Sequence, residues 1–377
     1  MSTVAGTPTA RAVAPDLARG AMLLMIALAN VHLYLYGSAG PRGYPADLGL
    51  VDQIVAVFQL LFVDGRAYPL FAMLVGYGAV QSARGREPGR AVGILRRRGA
   101  WMIAIGASHG VLLFSADIVG AYGLLLLLFA GVLVRGSERT LRVIALAGLL
   151  VTGAVGVTSG LPSGPAWPSM TVAEPATAFL LRLAEWLGST VVSVLTTVGM
   201  LALGALAARR GVLDEPGRYR PLLLRTAVAG ISVAAVTGLP LALAAAGWWQ
   251  PAIGPALLSG VLHQAGGLAG GVGFGALFGL LATRAAPQVL LATGRRSLSN
   301  YLGQSAVFCA LLPAWSLGLG ADLTVWQASL LGVATWLLGI AVSAILDQAG
   351  RRGPAEVVLR RLTHGRRPAR TDPPHII

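Results

Sequence analysis

Apolar residues run through this chain in blocks of about 20, the length that carries an α-helix across the hydrocarbon core of a bilayer. Ten such blocks are predicted, at 17–37, 57–82, 95–114, 117–134, 141–160, 179–207, 222–246, 256–283, 297–318 and 324–346. The second is the least regular: "FVDGRAYPLFAMLVGYG" sets Asp64, Arg66 and Pro69 inside it. That is the pattern of a broken or re-entrant helix, tolerated where protein or water satisfies the freed backbone groups. The first block, "AMLLMIALANVHLYLYG", precedes "SAG", which faintly resembles a signal-peptidase site. Its own Asn30 and His32, and the further blocks behind it, predict a retained first helix instead. The pattern therefore defines an all-α, polytopic transmembrane helix bundle of about ten spans.

Composition agrees with that pattern. Of 377 residues, 55% are hydrophobic and 12% charged, about half the charged share of a soluble chain. The 50 glycines suit helices whose backbones approach closely. The formal charge is +14, and all 29 basic residues are arginines. Arginine without lysine, beside abundant Ala, Gly and Pro, fits a GC-rich bacterial genome. Nucleic acid is not the expected partner, because the arginines lie in short clusters between apolar blocks rather than on one polar domain.

Those clusters decide orientation. They fall at Arg11 and Arg19, Arg84 to Arg98, Arg135 to Arg142, Arg209 to Arg225, Arg284 to Arg296, and Arg351 to Arg370, all on one side of a ten-span chain. Only Arg42, Arg66 and Arg182 fall outside that set. Both termini are then cytoplasmic, with a disordered N-terminus at 1–16, one transmembrane domain at 17–347 and a basic tail at 348–377. The opposite loops differ: 161–178 holds no basic residue, and "GWWQPAIGP" at 247–255 pairs two tryptophans at interface depth. The single cysteine, Cys309, excludes an internal disulfide and a Cys-based zinc site, and no metal site is expected.

An ionisable group at the bilayer centre costs roughly 2.5–3.5 kcal/mol on insertion scales, so each needs a reason. Counting about 1.5 Å per residue from the cytoplasmic arginines, His32, His109 and His263 all lie from the midplane outward. Asp117 begins the fourth span at the outer surface. One reading is an outward acid–base pocket, in which a neutral histidine takes a proton and a carboxylate orients it. The other is ordinary architecture: an interhelical hydrogen bond for His109 and a helix N-cap for Asp117. A short turn at Phe114-Ser115-Ala116 would leave His109 about six residues, roughly 9 Å, below Asp117 and level with Tyr122. A direct His109–Tyr122 contact is therefore expected, with Asp117 capping the fourth span or reaching His109 through water. His263 heads a ladder of Gly267, Gly271, Gly275 and Gly279 on one helical face, so it should face protein rather than lipid.

On the cytoplasmic side "GRRSLSNYLGQS" is the densest polar segment. Ser297 or Ser299 can cap a helix, Asn300 and Gln304 share a face, and Arg295 with Arg296 beside a helix N-terminus forms a candidate phosphate site. Positive-inside anchoring with interhelical amide bonds accounts for the same residues. "GYGAVQSARGRE" lacks a phosphate-loop pattern.

These segments, in this order, resemble the bacterial domain-of-unknown-function 418 family of YeiB-like membrane proteins. The resemblance rests on "ARGAMLLMIALANVHLY", "FVDGRAYPLFAMLVGYG", "RRRGAWMIAIGASHGVLLFSADIVGAYGLLLLLF", "GRRSLSNYLGQS" and "GRRGPAEVVLRRLTHGRR". It covers about residues 17–367, most weakly through 135–255. The family is more remotely similar to membrane acyltransferases such as the lysosomal heparan glucosaminide acetyltransferase. Its polar positions correspond here to Arg19, Gly20, Asn30, Asp64, Gly65, Arg66, His109, Asp117, Tyr122, Asn300, Tyr301 and Gln304.

The resemblance implies an acyltransferase that moves an acyl group from cytoplasmic acyl-CoA to a small-molecule, glycan or lipid acceptor outside or within the membrane. His109, Asp117, Tyr122 and Asp64 are then the candidate catalytic residues. Arg66, Asn30, His32, His263, Asn300 and Gln304 would contact substrate, and Arg295 and Arg296 the acyl-CoA phosphates. No permanently bound cofactor is expected, and self-association stays open. The alternative is a proton-coupled transporter or exporter, with the buried histidines as proton relay and Asp64 and Arg66 marking a broken-helix site.

Overall fold

The computed structural model describes residues 13–36, 40–162, 167–284 and 286–364. The outermost parts of the anticipated N-terminus and basic tail, with Arg11, Arg366, Arg367 and Arg370, lie outside the described residues. Thirteen α-helices follow one another among the residues described: α1 (Val13–Val31), α2 (Leu50–Phe62), α3 (Ala67–Ala83), α4 (Pro88–Leu112), α5 (Val119–Arg135), α6 (Glu138–Val155), α7 (Pro175–Arg209), α8 (Arg220–Ala245), α9 (Ile253–Leu281), α10 (Gln288–Arg295), α11 (Ser297–Leu311), α12 (Val325–Gln348) and α13 (Pro354–His364). The only β pairing among them is an isolated bridge between Pro41 and Pro162.

Seven segments are long and apolar enough to cross a bilayer: α1, the α2–α3 pair, α6, α7, α8, α9 and α12. The other three anticipated spans are helices of a different kind. α4 carries four arginines, Arg90 and Arg96 to Arg98, while α5 has 17 residues and α11 has 15. The irregular second block is broken where its polar residues fall, between Phe62 and Ala67.

Large apolar side chains stand exposed along α6, α7, α8 and α12, among them Leu150, Leu180, Val236 and Ile345. An apolar exterior of this extent needs an apolar solvent, and lipid supplies it. Within this outer layer α1, α3, α5 and α9 bury their residues in one continuous core.

The two ends of the bundle are tied together by different chemistry. At one end the arginine clusters meet: Arg84 pairs with Asp214 at 2.7 Å, Arg210 with Glu138 at 3.3 Å, and Arg295 with Asp347 at 2.9 Å. Here Glu87 caps α4 by accepting from the Gly89 and Arg90 amides, which hold its carboxyl below the usual range. The opposite end is joined by neutral bonds, including Tyr36 Oη to the Gly318 carbonyl (2.6 Å) and Trp248 Nε1 to Gln53 (2.9 Å). The three arginines that fell outside the clusters are all engaged. Arg42 and Arg66 meet around Asp64. Arg182 donates to the Val111 carbonyl and lies over the Trp315 ring, 4.4 Å from its centroid.

Helices α4 and α5 cross on glycine. A Cβ added at Gly99 would lie 2.5 Å from the Gly123 carbonyl oxygen, and one at Gly106 would run into the Gly120 backbone and the Asp117 carboxylate. Gly106→Val should therefore lower stability by about 1–3 kcal/mol, the usual cost of overpacking, read as a lower melting temperature of the purified protein in detergent. Gly93→Ala, in the same helix but with open space around it, should leave the melt unchanged or raise it. Equal melting of both variants would contradict the crossing.

Candidate functional site

The glycine crossing determines how His109 and Asp117 meet. α4 ends at Leu112 and α5 begins at Val119, so the link between them is longer than the three-residue turn anticipated. Asp117 sits just before α5 and accepts from the Val119 amide (3.2 Å) and the Gly120 amide (2.6 Å). With Gly106 against Gly120, the start of α5 lies level with the end of α4. His109 Nδ1 is consequently 2.9 Å from Asp117 Oδ1, with both side chains buried.

This corrects the expected His109–Tyr122 contact. Tyr122 instead donates its hydroxyl to the Tyr68 carbonyl at 2.6 Å. Counting residues failed because it assumed that both helices continue to the tip of the hairpin. The aromatic neighbour of His109 is Tyr301 of α11, 4.8 Å between ring centroids. Among the described residues His109 Nε2 is buried with no hydrogen-bond partner.

A second cluster lies at the α2–α3 break. Asp64 accepts from Arg42 Nε at 2.8 Å and Nη2 at 2.7 Å, a bidentate pair. His263 Nε2 lies 3.3 Å from the same carboxylate. Arg66, fully buried, donates to the Asp64 carbonyl and to the Ala234 carbonyl of α8 at 2.7 Å. Gly65 makes the break possible: its φ of +77° is the left-handed conformation that glycine adopts without penalty, and a Cβ there would lie 3.3 Å from His263 Nε2.

The α9 glycines face this break, as their spacing predicts. A Cβ at Gly267 would meet the Gly65 carbonyl, and one at Gly271 the Pro69 side chain. His263 is thereby enclosed by protein. His32 stacks on Tyr44, 4.3 Å between centroids, with Nε2 3.4 Å from the Arg42 carbonyl.

At the arginine-rich end the polar residues serve mainly one another. Arg295 donates to both oxygens of Asp347 at 2.9 Å, and Arg296 reaches the same carboxylate at 3.1 Å. Asn300 donates to the Arg296 carbonyl and to Ser343 of α12, each at 2.9 Å. Gln304 donates to the Leu23 carbonyl of α1 at 3.2 Å.

Two cavities approach each other through the bundle. One, of about 370 Å³, opens among Arg19, Arg98, Arg295 and Glu356 and narrows between apolar walls to Tyr122 and Tyr301. The other, of about 530 Å³, holds Asn30, Arg42, Asp64, Tyr68 and Trp167. Ile26 and Ile118 line both. Ile118 directly follows Asp117 in the chain, and Tyr301 lies against His109, so the histidine–carboxylate pair sits beside this shared wall.

Sequence reasoning missed Glu185. Its carboxylate accepts from Ser115 Oγ (2.6 Å), Ser169 Oγ (2.6 Å) and the Ser169 amide (2.9 Å), tying α7 to the α4–α5 link. The signal was present as the one acidic residue within the sixth apolar block.

A bundle with an apolar exterior and ion pairs sealed inside is an integral membrane protein of the polytopic helical class. Residues 207–366 match the family model described as "Protein of unknown function (DUF418)". The matched stretch contains His263, Arg295, Arg296, Asn300 and Gln304, whereas Asp64, His109 and Asp117 precede it. No curated protein matches the chain.

Asp64→Ala should cost up to about 3 kcal/mol, the low end for a broken buried pair, because it leaves the Arg42 guanidinium, still 27% accessible, without its carboxylate. The double variant Arg42→Ala/Asp64→Ala should recover part of that loss. A double-mutant cycle of melting temperatures would read the coupling directly, and simple additivity would contradict the pair.

Proposed function

We propose that the protein is a transmembrane acyltransferase whose arginine-rich end faces the cytoplasm and takes acyl-CoA, and whose opposite cavity holds the acceptor. The observation that carries this reading is the pair of opposed cavities that share Ile26 and Ile118 beside the His109–Asp117 pair. A one-sided enzyme has no need of a second cavity across the bundle.

The first cavity suits the donor. Its arginine rim matches the phosphates of a coenzyme A thioester, and its apolar walls, including Leu23, Leu74, Met102 and Leu126, match an acyl chain. The pantetheine thiol that is released would leave by the same mouth.

In this mechanism Asp117 holds the proton of His109 on Nδ1, which leaves the Nε2 lone pair as the base. An acceptor hydroxyl or amine gives its proton to Nε2 as its oxygen or nitrogen attacks the thioester carbonyl. The tetrahedral intermediate then breaks its C–S bond, and the imidazolium returns the proton to the departing thiolate. Tyr301 and Ile118 are the residues that stand between the pair and the cavities. Arg295 is placed in this reading at the phosphate end, with Arg296 behind it as the residue that fixes the α10–α12 junction.

The shared wall also favours a second reading, a proton-coupled transporter. Substrate flux into proteoliposomes driven by a pH gradient, without any acyl donor, would support transport and count against transfer.

The direct test is transfer of a radiolabelled acyl group, or hydrolysis of acyl-CoA, by purified protein. His109→Ala should lower the rate by about 10²–10⁴-fold, the usual contribution of a general base, at an assay temperature below its melt, which should itself fall because buried Asp117 loses a partner. Wild-type turnover in that variant would remove His109 from the mechanism.

A further inference from the structure

The cavity on the Asp64 side carries an unbalanced positive charge. Among the described residues Arg42 pairs with the Asp64 carboxylate while Arg66 beside it rests on backbone carbonyls, and His263 adds no negative charge in either protonation state. The other carboxylates of this end are spent elsewhere or point outward: Asp117 accepts from the Val119 and Gly120 amides and pairs with His109, Asp52 accepts from the Trp326 amide, Glu185 from Ser115 and Ser169, Glu174 from the Ala176 and Thr177 amides, and Asp47 and Asp322 are exposed. Two guanidinium groups within a bundle therefore share a single counter-charge.

The two arginines differ in what they can still do. Arg66 is sealed, with its Nη atoms on the Asp64 and Ala234 carbonyls, and it does not line the cavity. Arg42 does line it, and its side chain remains 27% accessible. A guanidinium has five N–H donors, and Arg42 directs only Nε and Nη2 to Asp64. Among the described residues its Nη1 end meets no acceptor. Asn30, Tyr68, Ser193 and Thr196 line the same space and add neutral hydrogen-bonding groups around it.

We infer that this cavity binds an oxyanion, a phosphate or carboxylate group, against the Nη1 end of Arg42, which supplies the missing counter-charge. A half-buried guanidinium with donors left over beyond its own ion pair is the arrangement that recognises such groups. The apolar side chains of Leu33, Leu161 and Val192 in the same walls suit an amphiphile that carries its anionic group inward from the bilayer surface. This rests on the proposed transfer reaction only in making the bound anion part of the acceptor; the binding itself does not depend on it.

The test uses the full-length protein, stripped of lipid in detergent, with no acyl-CoA present. Two probes separate the sources of the anion: phosphatidylglycerol, followed by native mass spectrometry, and sn-glycerol 3-phosphate, followed by calorimetry. Arg42→Gln should weaken whichever probe binds by at least about tenfold, the range for loss of a charge-assisted hydrogen bond. Ser193→Trp, which fills the cavity without altering its charge, should abolish binding while the protein still melts as the wild type does. Arg98→Gln, at the other cavity, should leave the affinity unchanged.

Binding of the lipid alone assigns the anion to a head group, and binding of the free phosphate alone assigns it to a soluble acceptor. Binding of neither, or equal affinity in wild type, Arg42→Gln and Ser193→Trp, would overturn the inference. Loss of acyl transfer in His109→Ala with anion binding intact would leave both proposals standing. Intact binding without any acyl transfer by the wild type would remove only the reaction.

Discussion

A carboxylate inside a helical bundle has no bulk water to satisfy it, and Asp117 meets that constraint with three donors from two helices. Val119 and Gly120 offer their amides at the start of α5, and His109 faces it from the end of α4. The two amide bonds are local to α5, but the His109 bond forms only if the two helices approach at glycine distance, which Gly99, Gly106, Gly120 and Gly123 allow. Trp186 of α7 covers the crossing, so closely that a Cβ at Gly110 or Gly120 would touch its ring. One side chain thus caps a helix, closes a hairpin and orients an imidazole. The position of Ile118 in the wall between the cavities follows from the same arrangement.

Much of this was legible in the sequence, for identifiable reasons. Helix existence followed from block length, because a bilayer demands about 20 apolar residues. The break at Asp64 and Arg66 was legible because charged residues interrupt an apolar run at that point. The burial of His263 followed from a glycine repeat with the period of a helix face. What could not be read was how far each helix runs before its loop. The His109–Asp117 contact turns on that length, and a difference of a few residues exchanges Asp117 for Tyr122. The partners of Arg42 were equally hidden, since 22 residues separate it from Asp64 and no periodicity links the two.

The two ends of the molecule use charge for different ends. Arg84–Asp214 and Arg218–Glu215 lie in solvent-exposed surroundings, where ion pairs contribute little to stability. Their value is topological, since arginines resist transfer through the membrane and so hold loops on one side. Arg42 and Arg66 cannot serve that purpose, because they lie at the other end. Arg42 pairs with Asp64, and Arg66 bonds the Asp64 and Ala234 carbonyls, so these contacts join the α2–α3 break to α8, while His263 brings in α9.

The shared wall of Ile26 and Ile118 has an electrical consequence. A bilayer normally spreads its voltage over roughly 30 Å of hydrocarbon. Where conducting solvent enters a bundle from both sides, the drop concentrates across the insulating layer that remains, and Ile26 and Ile118 belong to that layer here. A single charge crossing a full 100 mV gains about 2.3 kcal/mol, and with both cavities water-filled much of that work would fall across the layer that Ile26 and Ile118 share. The layer between the cavities is therefore where a membrane potential would act most strongly on a charged group of this protein.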